Sequence, residues 1–544
     1  MNLDKNEVLK LFPAPKFRKY QRETVEKILD EFSTGVKAVL YDAPTGSGKS
    51  IVNVTLGRAS KKAFYITPQL TLIDQIKKDK YLGQHVVDIK GRQNYPCSWD
   101  PAATCDVGMC RRVKDFSCQK IISCPYWTQK MKALDAQTAL MSFAYFILEG
   151  NTETDFSFGR RELLILDESH SIDRHIVSHI SLTVSPWSVP FELYKKVTSQ
   201  VGHIQDFDDA ANVVRTVKDF AKLEVDMAEA KIQLTLEGGE ISITQATNLR
   251  RLNDFIWSAE RFLNCLTDVE WVWQVGWASY HGNNYPKLVL QPLYARSFMQ
   301  DMIWSRAEYY IISTATILNI PLFLKETGLD KTLPADKIVH ISVPSTFPVE
   351  NRPIIDRMNG KLTHNKLEQN IVGAVSVLER ILDQEEGKNV AVHCNSYGMS
   401  IKIQNLINPK YKDRLVVHTS EDRQEALETW KNGHGRVFLA VSFTEGQDWI
   451  GEICEAQVLF KVPFMDISDK RVARRLEKCE WKWYQNEALK TTIQSYGRAV
   501  RSPEDKARFY IIDASFVDLI RRCKKDIPSW FAEALPPHMR MLLE

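Results

Sequence analysis

Nothing in the 544 residues has the makings of a membrane span: no window carries an apolar run long enough to cross a bilayer, and the opening MNLDKNEVLK lacks the apolar stretch of a secretory signal. An intracellular, cytoplasmic protein with no membrane partner is expected. An excess of charge of one sign is missing too. Lys plus Arg number 71 against 68 Asp plus Glu, and a net charge of +3 exerts no global pull on a polyanion, so any nucleic-acid groove must be a local basic feature. With 44% hydrophobic and 26% charged residues, the composition of a disordered chain is also absent. Cysteine is scarce outside one place. Of ten, Cys97, Cys105, Cys110, Cys118 and Cys124 fall within 28 consecutive residues, and the other five are scattered singly. In a reducing compartment such clustering favours a metal site over disulfides. The paired knuckles of a zinc ribbon and the compact ferredoxin run are both lacking, and the thiols alone leave zinc and an iron–sulfur cubane open.

What is present is an α/β rhythm. A helix around Tyr20 to Phe32 leads to the strand KAVLYDA, a glycine-rich turn and another helix, the start of a βαβ unit. AFYIT, ELLILDE and YYIIST follow as apolar strands, and NVAVHCNS, RLVVHTS, RVFLAVS, AQVLFKVP and RFYIIDAS repeat the style in the second half. Two parallel-sheet domains of one class are the simplest reading. Two segments break the rhythm. Lys90 to Tyr126 is cysteine-rich without clean periodicity, as where metal ligation replaces a core. Ile176 to Leu266 is helical in pattern, and the tract WVWQVGW with KLVLQPL reads as paired strands that return the chain to the first domain. Trp271, Trp273 and Trp277, at strand spacing, read as core packing and not as base-stacking groups.

The chemistry lies in three short motifs. APTGSGKS, with Ala43, Pro44, Thr45, Gly46, Ser47, Gly48, Lys49 and Ser50, sits between strand and helix, where backbone amides cradle phosphates, Lys49 reaches the β and γ oxygens and Ser50 ligates Mg2+. LLILDESH ends a buried strand in two acids, Asp167 for the magnesium and Glu168 for the attacking water. His170 after them either couples nucleotide state to the second domain or satisfies a core hydrogen bond. QSYGRAVRS sets Gln494, Arg498 and Arg501 close together, the two arginines on one helical face, able to clamp γ-phosphate charge from the second domain.

With these residues in order, the chain resembles the superfamily 2 helicases, and specifically their XPD/DinG-like iron–sulfur branch, of prokaryotic or phage type. FRKYQ ending at Gln21, APTGSGKS, FYITPQLTLIDQI, DESH, STAT at Ser313 to Thr316, SFTEGQD with Gly446 and Asp448, and QSYGRAVR are similar to its successive motifs over nearly the whole chain. KGRQNYPC before Cys97, CPYW from Cys124 and VPSTFPVENRP resemble segments typical of the branch. Departures are DESH in place of DEAH, DASF near Asp513, and five cysteines for four places.

The resemblance implies two RecA-like domains, with an iron–sulfur insertion and a helical arch insertion in the first. In numbers, residues 1–90, 127–175 and 271–340 form the first motor domain, 91–126 the cluster domain, 176–270 the arch and 341–544 the second motor domain. It implies ATP, Mg2+ and a 4Fe-4S cluster as cofactors and single-stranded and tailed duplex DNA as partners. The activity it implies is DNA unwinding driven by ATP hydrolysis, by a monomer moving 5′ to 3′. Cys97 and Cys124 lie in recognisable flanks, Cys118 comes next, and Cys110 is favoured over Cys105 as the fourth ligand. An ATP-gated clamp or protein-displacing remodeller would share every motif, whereas an unrelated phosphate-loop kinase would not explain STAT, SFTEGQD and QSYGRAVR.

Overall fold

Strands that are covered on both faces read as continuous apolar runs, and that is how this chain builds its two parallel sheets. A computed structural model describes residues 4–113, 116, 118, 124–150, 156–234, 240–443 and 449–544. In chain order the first half contributes β1 (Ala38–Asp42), β2 (Ala63–Thr67), β3 (Val87–Ile89), the short pair β4 (Pro96–Cys97) and β5 (Asp100–Thr104), β6 (Thr138–Ser142), β7 (Arg161–Asp167), β8 (Leu182–Val184), β9 (Trp271–Tyr280), β10 (Asn283–Pro292), β11 (Ala307–Thr314) and β12 (Ile338–Ser342). Seven of these form one parallel sheet in the order β12-β1-β11-β7-β2-β6-β3. Alternate residues of each strand enter different cores: Leu40, Phe64, Ile66, Leu164 and Leu166 on one face, Val39, Tyr65, Leu163 and Ile165 on the other.

The second half forms a six-stranded parallel sheet from β13 (Ile354–Asp356), β14 (Val390–His393), β15 (Leu415–Val416), β16 (Val437–Ala440), β17 (Ala456–Leu459) and β18 (Arg508–Ile511), ordered β13-β18-β17-β14-β16-β15. Six helices matter for the site: α1 (Lys49–Ala59), α2 (Ile172–Ile180), α3 (Phe207–Leu234), α4 (Ile243–Asn264), α5 (Lys470–Glu477) and α6 (Trp481–Tyr496). Among the described residues no helix is long and apolar enough to cross a membrane.

The paired strands expected ahead of the chain's return to the first domain form a small sheet of their own. β9 and β10 form an antiparallel hairpin that pairs with β8, in the order β8-β10-β9, and the chain rejoins the seven-stranded sheet only at β11. The hairpin's pattern is one-sided, as alternation implies: Leu288 and Leu290 join the core shared with the helical insertion, so the hairpin is a half-buried sheet. Trp271 keeps its expected place, edge-on to Phe262 of α4 with centroids 4.7 Å apart. Trp277 does not: it is 74% exposed, opposite Pro286 toward the hairpin's far end.

The cysteine-bearing segment docks on the start of α4. Cys97, Ala103 and Val107 pack with Ala246 in a small cluster of their own, and Arg250 of α4 pairs with Asp106. The two sheets meet through α5 and α6. Arg475 of α5 is wholly buried, holds Glu326 of the first half by two bonds of 2.7 and 2.8 Å, and donates to Glu480 at 2.6 Å. Its guanidinium lies over Trp483, 3.7 Å from the ring centre. A planar cation with five donors suits a site where two carboxylates must be satisfied together out of water.

Candidate nucleotide site

β1 ends at Asp42 and the chain turns through Ala43 to Gly48 before α1 begins at Lys49, so the first amides of α1 point out of the carboxyl edge of the sheet. Two glycines are forced by this turn. Gly46 and Gly48 have φ of +84° and +85°, and a Cβ on Gly46 would lie 2.5 Å from the carbonyl oxygen of Arg501. Beneath the turn the Lys49 ammonium donates to the Ala43 carbonyl at 3.0 Å and stands 4.0 Å from Glu168. Gln21 closes one side, donating from Nε2 to the carbonyls of Ser47 and Gly48 at 3.3 and 3.4 Å while its Oε1 accepts from the Arg18 amide.

Asp167 ends β7, beside β1 with β11 between them. Its carboxylate accepts from the Tyr65 hydroxyl at 2.8 Å, from Ser313 Oγ at 3.2 Å and from the Glu168 amide at 3.1 Å. The Tyr65 hydroxyl also interacts with Ser50, so the two expected magnesium ligands share a neighbour. Hydroxyl and carboxylate oxygens are the hard donors that Mg2+ takes. Burial, then the charge of Glu168, raises Asp167 to about 6, with Lys49 and Tyr65 opposing. Glu168 goes the other way. Burial alone would raise it, but Lys49, His170 and Arg501 hold it well below the usual carboxylate range. It remains an anion, and it occupies left-handed backbone at φ 48°, uncommon for a residue with a side chain and frequent at active sites. His170 is buried between the two: Nδ1 lies 2.9 Å from Thr314 Oγ1 in the core and 3.4 Å from Glu168.

The second domain closes the opposite wall. Gln494 of α6 donates to Thr316 Oγ1 at 3.4 Å, and Gly497 sits so close to the phosphate turn that a Cβ there would be 3.3 Å from Thr45 Oγ1. Arg498 and Arg501 line the same cavity of about 700 Å³ as Lys49, Glu168 and Gln21. Gly446 and Asp448 lie outside the described residues. Tyr65, Asn53 and Asp42 escape a reading of the sequence. Asn53 donates to Ser313 Oγ at 3.2 Å, and Asp42, under the phosphate turn, is raised to about 7 by burial against the pull of Lys49. All three look like ordinary strand or helix residues; in the fold Tyr65 meets Asp167 directly, Asn53 reaches it through Ser313, and Asp42 lies near Lys49.

This geometry sets two expectations. Glu168→Gln keeps the phosphate and magnesium contacts but loses the charge that orients water, so turnover should fall by about 10²–10⁴-fold while ATP stays bound. Stopped-turnover and nucleotide-retention assays check it, and wild-type turnover would remove Glu168 from the chemistry. Arg498→Ala and Arg501→Ala should each lower kcat by about 10³-fold with little change in ATP affinity, because the clamp acts on charge in the transition state. A loss confined to affinity would contradict that role.

The cysteines form a second centre. Cys97 lies on β4, Cys105 follows β5, Cys110 is in the turn of helix Met109–Arg112, and Cys124 precedes the helix Pro125–Asp135. Cys105 interacts with Cys124 and Cys97, and Cys118 with Cys110, Cys124 and Cys97, so the five thiols are neighbours of one another. Burial, then neighbouring thiols, pushes Cys105 and Cys118 up to about 12. None of the five is in a disulfide. Among the described residues no three His, Cys, Asp or Glu side chains stand in a finished metal-binding arrangement. The donor set nonetheless fits a sulfur-rich centre, because converging buried thiols repel one another as anions and gain from a shared cation.

Fold and site together define a two-domain phosphate-loop protein with its nucleotide cavity in the cleft between parallel sheets. The Type III restriction enzyme, res subunit family model matches residues 14–197, and the Helicase C-terminal domain model matches residues 378–534. The chain is 25% identical over 288 residues to the ATP-dependent DNA helicase DinG of Photobacterium profundum, covering 49% of this chain and 40% of that relative's length. It is 20% identical to the ATP-dependent DNA helicase YoaA of Escherichia coli, covering 98% of this chain and 96% of the relative. Among solved structures it is similar in fold to an XPD helicase, with a TM-score of 0.61, 15% identity, and 94% and 98% of the two chains covered. S. tokodaii Xpd4 is similar too, at 0.57 and 14%, over 95% and 99%. The chain is thus similar in sequence to the ATP-dependent DNA helicases DinG and YoaA and similar in fold to the XPD structures.

Proposed function

We propose that the protein is an ATP-driven motor that tracks along single-stranded DNA, 5′ to 3′, and separates duplex strands. The observation that carries this reading is the placement of α6 between two cavities. Ile493 and Gln494 line the nucleotide cavity, whereas Thr491 and Ser495 line a groove of about 1180 Å³ that runs from the second domain to the first. One rigid helix therefore feels both occupants. Arg174, Arg423, Lys461, Arg471 and Arg522 line the groove beside Asp466, Asp469, Asp513 and Asp518, with Phe443, Phe464, Trp481 and Tyr484 among them. Cations on a path of aromatic faces suit a phosphate backbone with unstacked bases, whatever the sequence.

In the cleft, Lys49 holds the β and γ phosphates, Ser50 and Asp167 hold Mg2+, Glu168 orients water, and Arg498 and Arg501 neutralise charge as the γ-phosphoryl group leaves. Residues 176–270 serve as the arch and 91–126 as the cluster domain. Four of the five clustered thiols hold a 4Fe-4S centre, which frames a segment whose Cys105, Cys118 and Cys124 reach the core of the first domain. Cys97, Cys110, Cys118 and Cys124 are the four, and Cys105, whose Sγ donates to the Pro96 carbonyl at 3.2 Å, is the fifth. The reading is tested by ATP turnover with and without DNA single strands, RNA single strands and small-molecule phosphate acceptors. Stimulation by DNA strands supports it, and stimulation only by a small acceptor overturns it.

A further inference from the structure

The first acid motif and the strand groove are joined by a short chain of charged contacts that neither cavity explains alone. Arg174 sits in the first turn of α2, four residues past His170, with its side chain 44% exposed and lining the groove. Its Nη2 donates to Oε2 of Glu487 on α6 at 2.8 Å. The other carboxylate oxygen, Oε1, accepts from the Lys490 ammonium at 2.6 Å, and the same ammonium donates to the backbone carbonyl of His170 at 2.9 Å. His170 in turn stands 3.4 Å from Glu168. Glu487 and Lys490 are both buried, each 7% exposed, so the carboxylate has no solvent to fall back on and its partners decide where it sits.

Resting on the reading of the groove as a strand path, we infer that Arg174, Glu487 and Lys490 form a relay that reports strand occupancy to the acid motif. The physical basis is competition for one guanidinium. A strand phosphate can take Arg174 by two bonds where Glu487 accepts one at 2.8 Å, and the guanidinium faces the groove on one side and Glu487 on the other. When the phosphate takes Arg174, Glu487 keeps only Lys490 and draws the ammonium toward itself. The Lys490 contact with the His170 carbonyl then loosens, and the turn carrying Glu168 resets against the bound nucleotide. The three are positioning residues, since none lines the nucleotide cavity. Coupling of this kind is reciprocal: whatever factor the strand imposes on nucleotide affinity, the nucleotide imposes on strand affinity.

The test reads that factor. The affinity of a fluorescent oligo-dT for the full chain is measured with and without a non-hydrolysable ATP analogue, and the ratio is compared across wild type, Glu487→Gln and Arg174→Gln. The wild-type ratio should differ from one by about five-fold or more, and both variants should bring it to within about two-fold of one. Arg174→Gln is the variant that keeps the test alive if removing a buried charge at Glu487 disturbs folding, because Arg174 is partly exposed. Were Arg174 only a phosphate contact, its variant would bind the strand more weakly with the wild-type ratio intact, and the relay would be overturned. A wild-type ratio near one would overturn it as well. Failure of the wild type to bind oligo-dT at all would instead bring down the strand-path reading, and with it the premise of the relay.

Discussion

Lys49→Ala is expected to abolish ATP hydrolysis, lowering turnover by at least about 10²–10³-fold, the usual cost of removing one preorganised charge from a developing anion. In the protein this ammonium is buried beneath the phosphate turn, fixed by the Ala43 carbonyl and facing Glu168, a position that a side chain from elsewhere in the cavity cannot reach without breaking the turn. Single-strand binding should remain largely intact, because Lys49 lines the nucleotide cavity and not the groove. The check is a paired assay of phosphate release and oligonucleotide binding on one preparation. Retained, strand-stimulated hydrolysis would contradict the phosphate-loop assignment.

The second large effect concerns the thiols. Anaerobically purified protein should be brown and contain about four irons and four sulfides per chain. Replacing Cys97 or Cys124 by Ser should bleach it and loosen the docking of that segment on α4, where the apolar support is the small cluster of Cys97, Ala103, Val107 and Ala246. Cys105→Ser should keep the colour. ATP hydrolysis should persist at a reduced level in the bleached variants, since Lys49, Asp167, Glu168 and the arginines belong to other elements, while strand separation should fail. Iron and sulfide analysis with visible absorption decides the matter. Stoichiometric zinc without sulfide, in protein prepared without oxygen, would contradict the cluster.

How far a sequence like this can be read depends on whether chemistry and neighbours in the chain coincide. Strands buried on both faces announce themselves as apolar runs, which is why β1, β2, β7 and β11 are visible as strands, and a strand-to-helix turn of glycines ending in Lys49 and Ser50 has little other use. The hairpin β9–β10 is visible as paired strands but its place is not, because alternation fixes a half-buried sheet without saying which core it covers. Tyr65 reads as one more aromatic in a buried strand, yet its hydroxyl orients Asp167 across the sheet. Nothing in the sequence marks Glu487 and Lys490, and only the packing of α6 on the first domain buries them. Clustering of five cysteines points to a metal centre, and the spacing alone does not single out four of them.

Hydrolysis in the cleft is proposed to drive movement along one DNA strand. The most direct measurement is strand separation on duplexes that carry a single-stranded tail at either the 5′ or the 3′ end, with ATP and with a non-hydrolysable analogue. Separation of the 5′-tailed duplex with ATP alone is the predicted result. Hydrolysis stimulated by DNA with neither duplex opened would contradict it, and would make the protein an ATP-gated clamp or remodeller.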